Sequence, residues 1–448
     1  MSFTANKKKS VHHVVIVGGG FGGLYAAQTL AKEQVKVTLI DKRNFHVFQP
    51  LLYQVATGGL SPTNISSPLR GILKRNKNIE VLMGEVKKID SQQQTVILRS
   101  REINYDSLIV ATGASHQYFG HQEWADKAPG LKTVEDALEM RRRIFIAFES
   151  AEKETDPKKR QAWLTFAIIG GGPAGVELAG ALAELAHGTL KDDFRNFNTK
   201  EAKIILIQSS ERILPSYSPS LSAKAKTSLE QLGVTVMTGT RVVDMNTQTI
   251  DVRHDGEIES IRARTVLWTA GMKASAMAQN LAESTGADLD RTGRVIVDSN
   301  FNVSGADNIY VIGDLANYSH QEGKPLPGVA PVAMQSGKYV ARLITSRLEG
   351  ETIAPFRYWD WGSLAVIGKH AAVVDMGFFK LSGFLAWAFW MFIHVFYLLE
   401  FDNKLIVIIQ WVWNYFTSGK GARMITAPGE QPSIQLEENH LTPVPFEV

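Results

Sequence analysis

The chain carries the same phosphate-binding signature twice. Its first copy reads Val14-Val15-Ile16-Val17-Gly18-Gly19-Gly20-Phe21-Gly22-Gly23, and its second Phe166-Ala167-Ile168-Ile169-Gly170-Gly171-Gly172-Pro173-Ala174-Gly175. Each is a short β-branched run, then G-x-G-x-x-G, then a stretch with helical character. Such a loop brings backbone N–H groups and a helix N-terminus up to a pyrophosphate. Two copies, each in register with strand and helix signals, imply two dinucleotides, one passing electrons to the other.

The other bounds are mostly exclusions. At 448 residues the chain has room for a few domains and a large core. A formal charge of only +3 argues against a nucleic-acid partner, and the runs Lys7-Lys8-Lys9 and Arg141-Arg142-Arg143 read as solvated faces. There is no cysteine, hence no disulfide framework, no thiolate zinc site, no cysteine-ligated cluster and no redox-active cysteine pair. Met1 to Ser10 is polar and basic and lacks the apolar segment of a secretory signal, so the catalytic part is expected to face the cytoplasm or an equivalent compartment.

The pattern along the chain predicts an α/β protein of two nested, doubly wound dinucleotide-binding domains followed by a helical membrane-anchor region. The first domain opens at 12–162. After its loop, Gly23 to Ala31 reads as a helix and Lys36 to Ile40 as a strand ending at Asp41, a carboxylate spaced to grip a ribose diol. A charged helical linker from Lys132 to Arg160 breaks at Asp156-Pro157. The second domain, 163–289, repeats the plan, with an insertion from Gly188 to Ala202. Its closing run Trp268-Thr269-Ala270-Gly271 parallels Ala111-Thr112-Gly113 of the first. Asn308 to Asp314 then returns the chain to the first domain, whose second part is 290–355.

From Phe356 the character changes. Six of the nine tryptophans lie between Trp359 and Trp413, a bias that marks an interface. Phe384 to Leu399 is apolar but for His394. As a helix it would span about 24 Å, short of the ~30 Å hydrocarbon layer. On a second helix, Leu405 to Phe416, the residues Gln410, Asn414 and Ser418 form one polar edge, and Lys420 and Arg423 follow as basic residues near anionic headgroups. Residues 356–427 thus read as a monotopic anchor, with a buried helical dimer interface as the alternative. Residues 428–448 read as a disordered tail.

The stretch Ile40-Asp41-Lys42-Arg43-Asn44-Phe45-His46-Val47-Phe48-Gln49-Pro50-Leu51-Leu52-Tyr53-Gln54-Val55-Ala56-Thr57 resembles the type II NADH dehydrogenases, the single-subunit, non-proton-pumping NADH:quinone oxidoreductases. So do Gly170 to Gly180, Val266 to Gly271, Pro327 to Gln335 and Gly362 to Gly368. The resemblance runs from about His12 to Ile425. It implies FAD in the first loop, with Gly18, Gly20, Phe21 and Gly23 on the pyrophosphate, Asp41 and Lys42 at the adenosine end, and Ala111, Thr112, Gly113, Asp314, Ala333 and Met334 along the rest of the cofactor. It implies NADH on Gly170, Gly172, Gly175, Gln208 and Gly271, with Glu177 beside the nicotinamide–flavin contact. It further implies a quinone partner, a homodimer, and a place on the cytoplasmic face of the inner membrane or an equivalent organelle membrane.

Two departures from the family pattern matter. Gln208 stands where an NADH-selective site usually has an acid. An amide grips a 2′-OH without repelling a 2′-phosphate, so NADPH should be tolerated, with Ser209, Ser210 and Arg212 close by. The segment Ala330-Pro331-Val332-Ala333-Met334-Gln335 keeps only the second of two glutamines usual near the flavin, which leaves Gln335 as its quinone contact. His394 and Tyr397 are candidates for the membrane-side entrance. Two rival functions share these features: a soluble FAD-dependent NAD(P)H oxidase or reductase, and a non-catalytic NADH-binding redox sensor.

Overall fold

The computed structural model of the protein describes residues 11–417 and 419–425. The Lys7 to Lys9 run, Ser418 and the tail at 428–448 lie outside the described residues.

The first domain begins with β1 (His13–Val17), α1 (Phe21–Leu30), β2 (Lys36–Asp41), the short α2 (Leu52–Ala56), β3 (Ile79–Met83) and β4 (Ser107–Val110). Val14 to Val17 are all buried, as expected of a strand covered on both faces. β1 pairs in parallel with β2 on one side and β4 on the other. Its carboxyl end, where Gly18 opens the loop, is therefore a topological switch point, where open α/β sheets bind ligands. The linker is helix α3 (Val134–Lys153), closed at its start by a reciprocal Thr133–Asp136 capping box. Asp156 caps the next helix, Pro157–Trp163, and fixes the expected break.

The second domain repeats the design with β5 (Thr165–Ile169), α4 (Pro173–Glu184), β6 (Lys203–Ile207), β7 (Val234–Met237) and β8 (Thr265–Trp268), in the all-parallel order β7-β6-β5-β8. The chain then returns. β9 (Asn302–Val303) and β10 (Ala306–Val311) complete the first sheet, ordered β9-β10-β4-β1-β2-β3 and parallel except at β9. Helix α5 (Ala330–Glu349) lies so close to α1 that a Cβ on Gly337 would sit 2.2 Å from the Gly22 carbonyl oxygen.

The return begins earlier than position 289. Helix Met277–Thr285 packs on the first domain: Asn280 accepts from the Ile89 amide, Ser284 bonds Ser91, and Leu281 joins the first domain's core. The sequence pattern could not register these partners, which lie nearly the length of a domain away.

The C-terminal unit is not purely helical. It opens with a three-stranded antiparallel sheet, β11 (Ser363–Gly368), β12 (Ala371–Asp375) and β13 (Lys380–Gly383), before helices α6 (Phe384–Tyr397) and α7 (Phe401–Thr417). β11 presses on α4, where a Cβ on Gly180 would fall 1.6 Å from the Ile367 carbonyl oxygen. No helix among the described residues is long and apolar enough to cross a membrane.

The polar edge of α7 turns inward. Asn414 donates to the Gly59 carbonyl, the Trp411 indole to Gln54, and Asn403 to Ser67. The opposite face exposes Phe401, Ile409, Trp413 and Phe416, continued by Phe392 and Phe396 on α6. Lys420 and Arg423 are both engaged within the chain. Lys420 Nζ donates to the Ala181 carbonyl at 2.9 Å, and Arg423 pairs with Asp193. The chain after α7 folds back over the turn that follows α2, with the Ala422 amide on the Gly58 carbonyl, which carries Lys420 inward and leaves Arg423 in an exposed ion pair.

Candidate active site

The two loops are built alike. Gly18 and Gly170 both have φ near +110°, at +107° and +111°, a conformation that side chains rarely adopt. A Cβ on Gly23 would meet the Gly18 carbonyl oxygen at 1.8 Å, and one on Gly175 the Gly170 carbonyl at the same distance. Gly20 and Gly172, by contrast, face open space and cap α1 and α4 without any side-chain hydrogen bond. Each helix therefore offers free N–H groups and its positive dipole end to an anion.

A side chain at the end of the neighbouring strand braces each loop. Asp41 accepts from the Gly19 amide at 2.6 Å through one carboxylate oxygen and from the Arg43 amide at 2.7 Å through the other. Gln208 does the same job in the second domain, accepting from the Gly171 amide at 2.6 Å while its NH2 donates to Ser210. Arg212 is spent elsewhere: its guanidinium donates to the Pro215 and Tyr217 carbonyls. It therefore does not reach out to a ribose phosphate, contrary to the expectation drawn from its position. Lys42 is exposed.

Behind the first loop lies His46, buried, with Nδ1 3.0 Å from the Gly19 carbonyl and its ring edge-on to Phe21. Burial pushes its pKa down to about 4, and the Gly19 carbonyl partly opposes this. The imidazole is thus neutral and braces the loop from the inside.

At the far end of the first site, Ala111 packs under Gly18, and Thr112 shares a 2.6 Å hydrogen bond with Ser275. Gly113 has φ +67° and open space above it. Its counterpart Gly271 has φ +66° but is covered: a Cβ there would meet the Phe119 ring at 2.5 Å. Phe119 itself holds a left-handed φ of 50° while 59% exposed. Asp314 follows the Gly313 turn and lines a cavity of about 210 Å³ with Phe301, Tyr318 and Val332. Its carboxylate pairs with Lys132 Nζ at 3.0 Å, a partner that sequence reading missed because the two lie on separate segments. Ala333 and Met334 are buried in the first turn of α5. Open space at Gly20 and Gly113, an uncapped α1 and the Asp41 carboxylate suit a pyrophosphate and ribose; the residues fit a dinucleotide cofactor.

Two candidate residues are already engaged within the chain. Gln335 is held at both ends of its amide by Trp359. Its NH2 donates to the Trp359 carbonyl at 2.9 Å and its oxygen accepts from the Trp359 amide at 3.0 Å. The returning backbone at Trp359 competes for both ends of this side chain and wins them. His394 likewise is packed among aromatic side chains. It bonds the Trp390 carbonyl, stacks on the Trp390 ring and meets Phe48 edge-on, while Tyr397 stacks on Trp361.

Glu177 sits in the second turn of α4, only 8% exposed, and faces the C-terminal unit. The Val366 amide approaches its carboxyl at 3.5 Å. Burial raises its pKa to about 8, opposed by that amide and by the nearby Trp390 indole N–H, which makes no full hydrogen bond. Glu177 lies on the wall of a half-open cavity of about 500 Å³ lined by α2, α4, the β11–β12 turn, α6 and α7. Its lining combines the aromatic and apolar Tyr53, Trp390, Met391 and Trp411 with the polar Glu184, Lys369 and Lys420.

Comparison with known proteins decides the family. Residues 12–337 match the pyridine nucleotide-disulphide oxidoreductase family, and residues 361–419 match the NDH2 C-terminal domain. The type II NADH:quinone oxidoreductase Ndh of Mycobacterium tuberculosis is 41% identical, over 95% of this chain and 93% of its own length. The chain belongs to the type II NADH:quinone oxidoreductases. A Staphylococcus aureus type II NADH:quinone oxidoreductase is 30% identical over 80% of this chain and 88% of its own. In fold, the type II enzyme here is similar to the Plasmodium falciparum NDH2 solved with NADH: the TM-score is 0.84 at 20% identity, covering 93% of this chain and all of that one. It is also similar to the Aquifex aeolicus sulfide:quinone oxidoreductase, with a TM-score of 0.69 at 18% identity over 92% of each chain.

Proposed function

We propose the following division of labour for the family's activity, the oxidation of NADH by a quinone through a bound flavin. The first loop holds FAD: Gly18, Gly20, Phe21 and Gly23 with the N-terminus of α1 bind the pyrophosphate, and Asp41 binds the adenosine ribose. Asp314, charge-balanced by Lys132, serves the ribityl side, and Ala111, Thr112 and Gly113 let the backbone approach. When bound, FAD supplies the chemistry that takes two electrons from NADH and passes them to quinone. Gly170, Gly172 and Gly175 bind NADH, with Gln208 at its ribose and Gly271 near its nicotinamide end. NADPH is tolerated on the strength of Gln208 alone. An NADPH kcat/KM below about a thousandth of that for NADH would sink this part of the reading.

Quinone enters from a bilayer through the 500 Å³ cavity, and the neutral Glu177 carboxyl at its wall holds a proton for the acceptor. The observation that carries this reading is the cavity itself. It runs from between the two aromatic anchor helices to the one buried carboxyl beside the second loop. Gln335 takes a supporting part, fixing Trp359. The exposed faces of α6 and α7 lie on the membrane as a monotopic anchor on its cytoplasmic side, and two chains form a homodimer. Sedimentation in detergent tests the last point.

Steady-state oxidation of NADH and NADPH with a short-chain quinone in detergent tests donor, acceptor and turnover together. Removal of the chain from Ser382 onward should abolish both membrane cofractionation and quinone reduction. A full chain that neither cofractionates with membranes nor reduces quinone would favour the soluble oxidase reading.

A further inference from the structure

Tyr118, Phe119, Gly120 and His121 form a tight turn in the segment that joins the two dinucleotide domains. The His121 amide donates to the Tyr118 carbonyl at 3.0 Å, and both central residues have positive φ, +50° at Phe119 and +98° at Gly120. Two positive φ values in succession are what a type I′ turn demands, and its first central position normally goes to asparagine, aspartate or glycine. Phenylalanine is strained there. Its ring is 59% exposed, so burial in a core does not offset the strain.

The neighbours of the turn fix where that ring lies. Tyr118 is buried, donates to the Ala128 carbonyl at 2.8 Å and has its ring centroid 4.9 Å from that of Trp268. The Trp268 indole donates to the Gln117 carbonyl at 3.1 Å, and His121 stacks on Trp124 at 4.0 Å. Just before the turn, the strand Ala114–His116 pairs with Met272–Ala274. Both flanks are thus tied down around the end of β8, while Phe119 projects over Gly271. The missing side chain of Gly271 makes room for it, since a Cβ there would meet the ring at 2.5 Å.

This is the carboxyl edge of the second sheet. A Cβ on Gly170 would lie 2.7 Å from the Ala270 amide nitrogen, so Gly271 comes directly after the back wall of the second phosphate loop. Gln208 follows β6 on one side of that loop, and Gly271 follows β8 on the other. A dinucleotide with its adenosine half toward Gln208 therefore has its nicotinamide half toward Phe119. The second loop has no aromatic residue of its own: Pro173 stands where the first has Phe21.

We propose that Phe119 is a positioning residue for the nicotinamide half of the electron donor, its ring resting against that flat heterocycle. This rests on the reading that the second loop binds NADH. Contact between two planar rings is modest in strength and needs no hydrogen bond, which suits a group that arrives in one redox form and leaves in the other. The strained turn has a use on this view: it keeps the ring out at the site instead of letting it collapse onto Tyr118 and Trp268.

The test uses the full chain with its flavin. Phe119→Asn removes the ring and at the same time supplies the Asn-Gly pair that the turn favours most. Its Tm should be no lower than that of the wild type, and its flavin content unchanged. Calorimetric titration should show NAD⁺ binding weakened about fivefold to tenfold, while ADP-ribose, which lacks the nicotinamide, binds as before. The KM for NADH should rise by a similar factor, with reoxidation by quinone unaffected, and Phe119→Tyr should restore NAD⁺ binding. Unchanged NAD⁺ binding in Phe119→Asn overturns the proposal. Equal weakening of NAD⁺ and ADP-ribose overturns it too, and with a lowered Tm would mark the ring as structural. If Gly175→Ala also leaves both ligands bound as in the wild type, the assignment of the second loop to NADH fails first and takes the proposal with it.

Discussion

The first and second phosphate loops share their glycine geometry almost to the degree, yet their surroundings diverge. Asp41 braces the first loop with a carboxylate, and Gln208 braces the second with an amide. The crossing glycine of the first site, Gly113, is open, whereas Gly271 lies under the Phe119 ring. Beside the first loop is a histidine held neutral, and beside the second a carboxyl whose pKa near 8 lies within reach of the working pH. The first site has the features of a place that holds one molecule indefinitely. On the proposed reading the second would exchange its occupant at each turnover; it has an amide brace, a cover, and a titratable group on its helix.

The sharpest way to break this contrast is a methyl group in each loop. Gly23→Ala should give protein without bound flavin and with a lowered Tm, because the Cβ collides with a backbone oxygen. Gly175→Ala, the same collision in the second loop, should stay yellow but lose roughly a hundredfold or more in NADH oxidation. Flavin absorbance and turnover distinguish the two. Loss of flavin from both variants would mean that the loops do not divide the work.

Glu177 offers a pH test. Its folded pKa is about 8 against an ordinary 4.5, so the native state keeps a proton that the unfolded chain releases. Its burial therefore costs nothing below the lower value and progressively more as pH rises toward the upper one. Glu177→Gln, always neutral, should gain in Tm over the wild type across that window and hold a constant advantage above it. A Tm difference independent of pH would place the carboxyl in water. For donor choice, Gln208→Glu should cut NADPH use about tenfold relative to NADH, since the new charge repels a 2′-phosphate while its oxygen still braces Gly171. The smallest effects concern the crossing glycines. Gly113→Ala should cost about 1 kcal/mol from backbone strain in flavin-free protein. Gly271→Ala should cost more because it also meets Phe119, and adding Phe119→Ala should erase the excess in thermal unfolding.

Much of this was legible in the residues. Glycine spacing, β-branched runs and Asp41 specify the nested sheets, because each signal is local and periodic. The aromatic stretch signalled two short apolar helices for the same reason. What escaped was decided by contacts between distant segments. The Lys132–Asp314 pair, the capture of Gln335 by Trp359, the turn of Arg212 toward its own loop carbonyls and the facing of Glu177 toward β11 and α6 have no local signature. A side chain's chemistry can be read from sequence, but whether a backbone has already claimed it depends on the fold.

The engagement of the C-terminal cations within the chain has a consequence for how this protein would hold to a bilayer. Lys404 donates to the Phe396 carbonyl at the end of α6, Lys420 to Ala181, and Arg423 pairs with Asp193. The outward face left to α6 and α7 is phenylalanine, isoleucine and tryptophan, with Trp413 65% and Phe416 80% exposed. Attachment through such a face is a matter of partitioning rather than attraction. It should survive a high-salt wash and yield to mild detergent. The packing defects of the host membrane, more than its content of acidic lipid, would then set how many copies reside there.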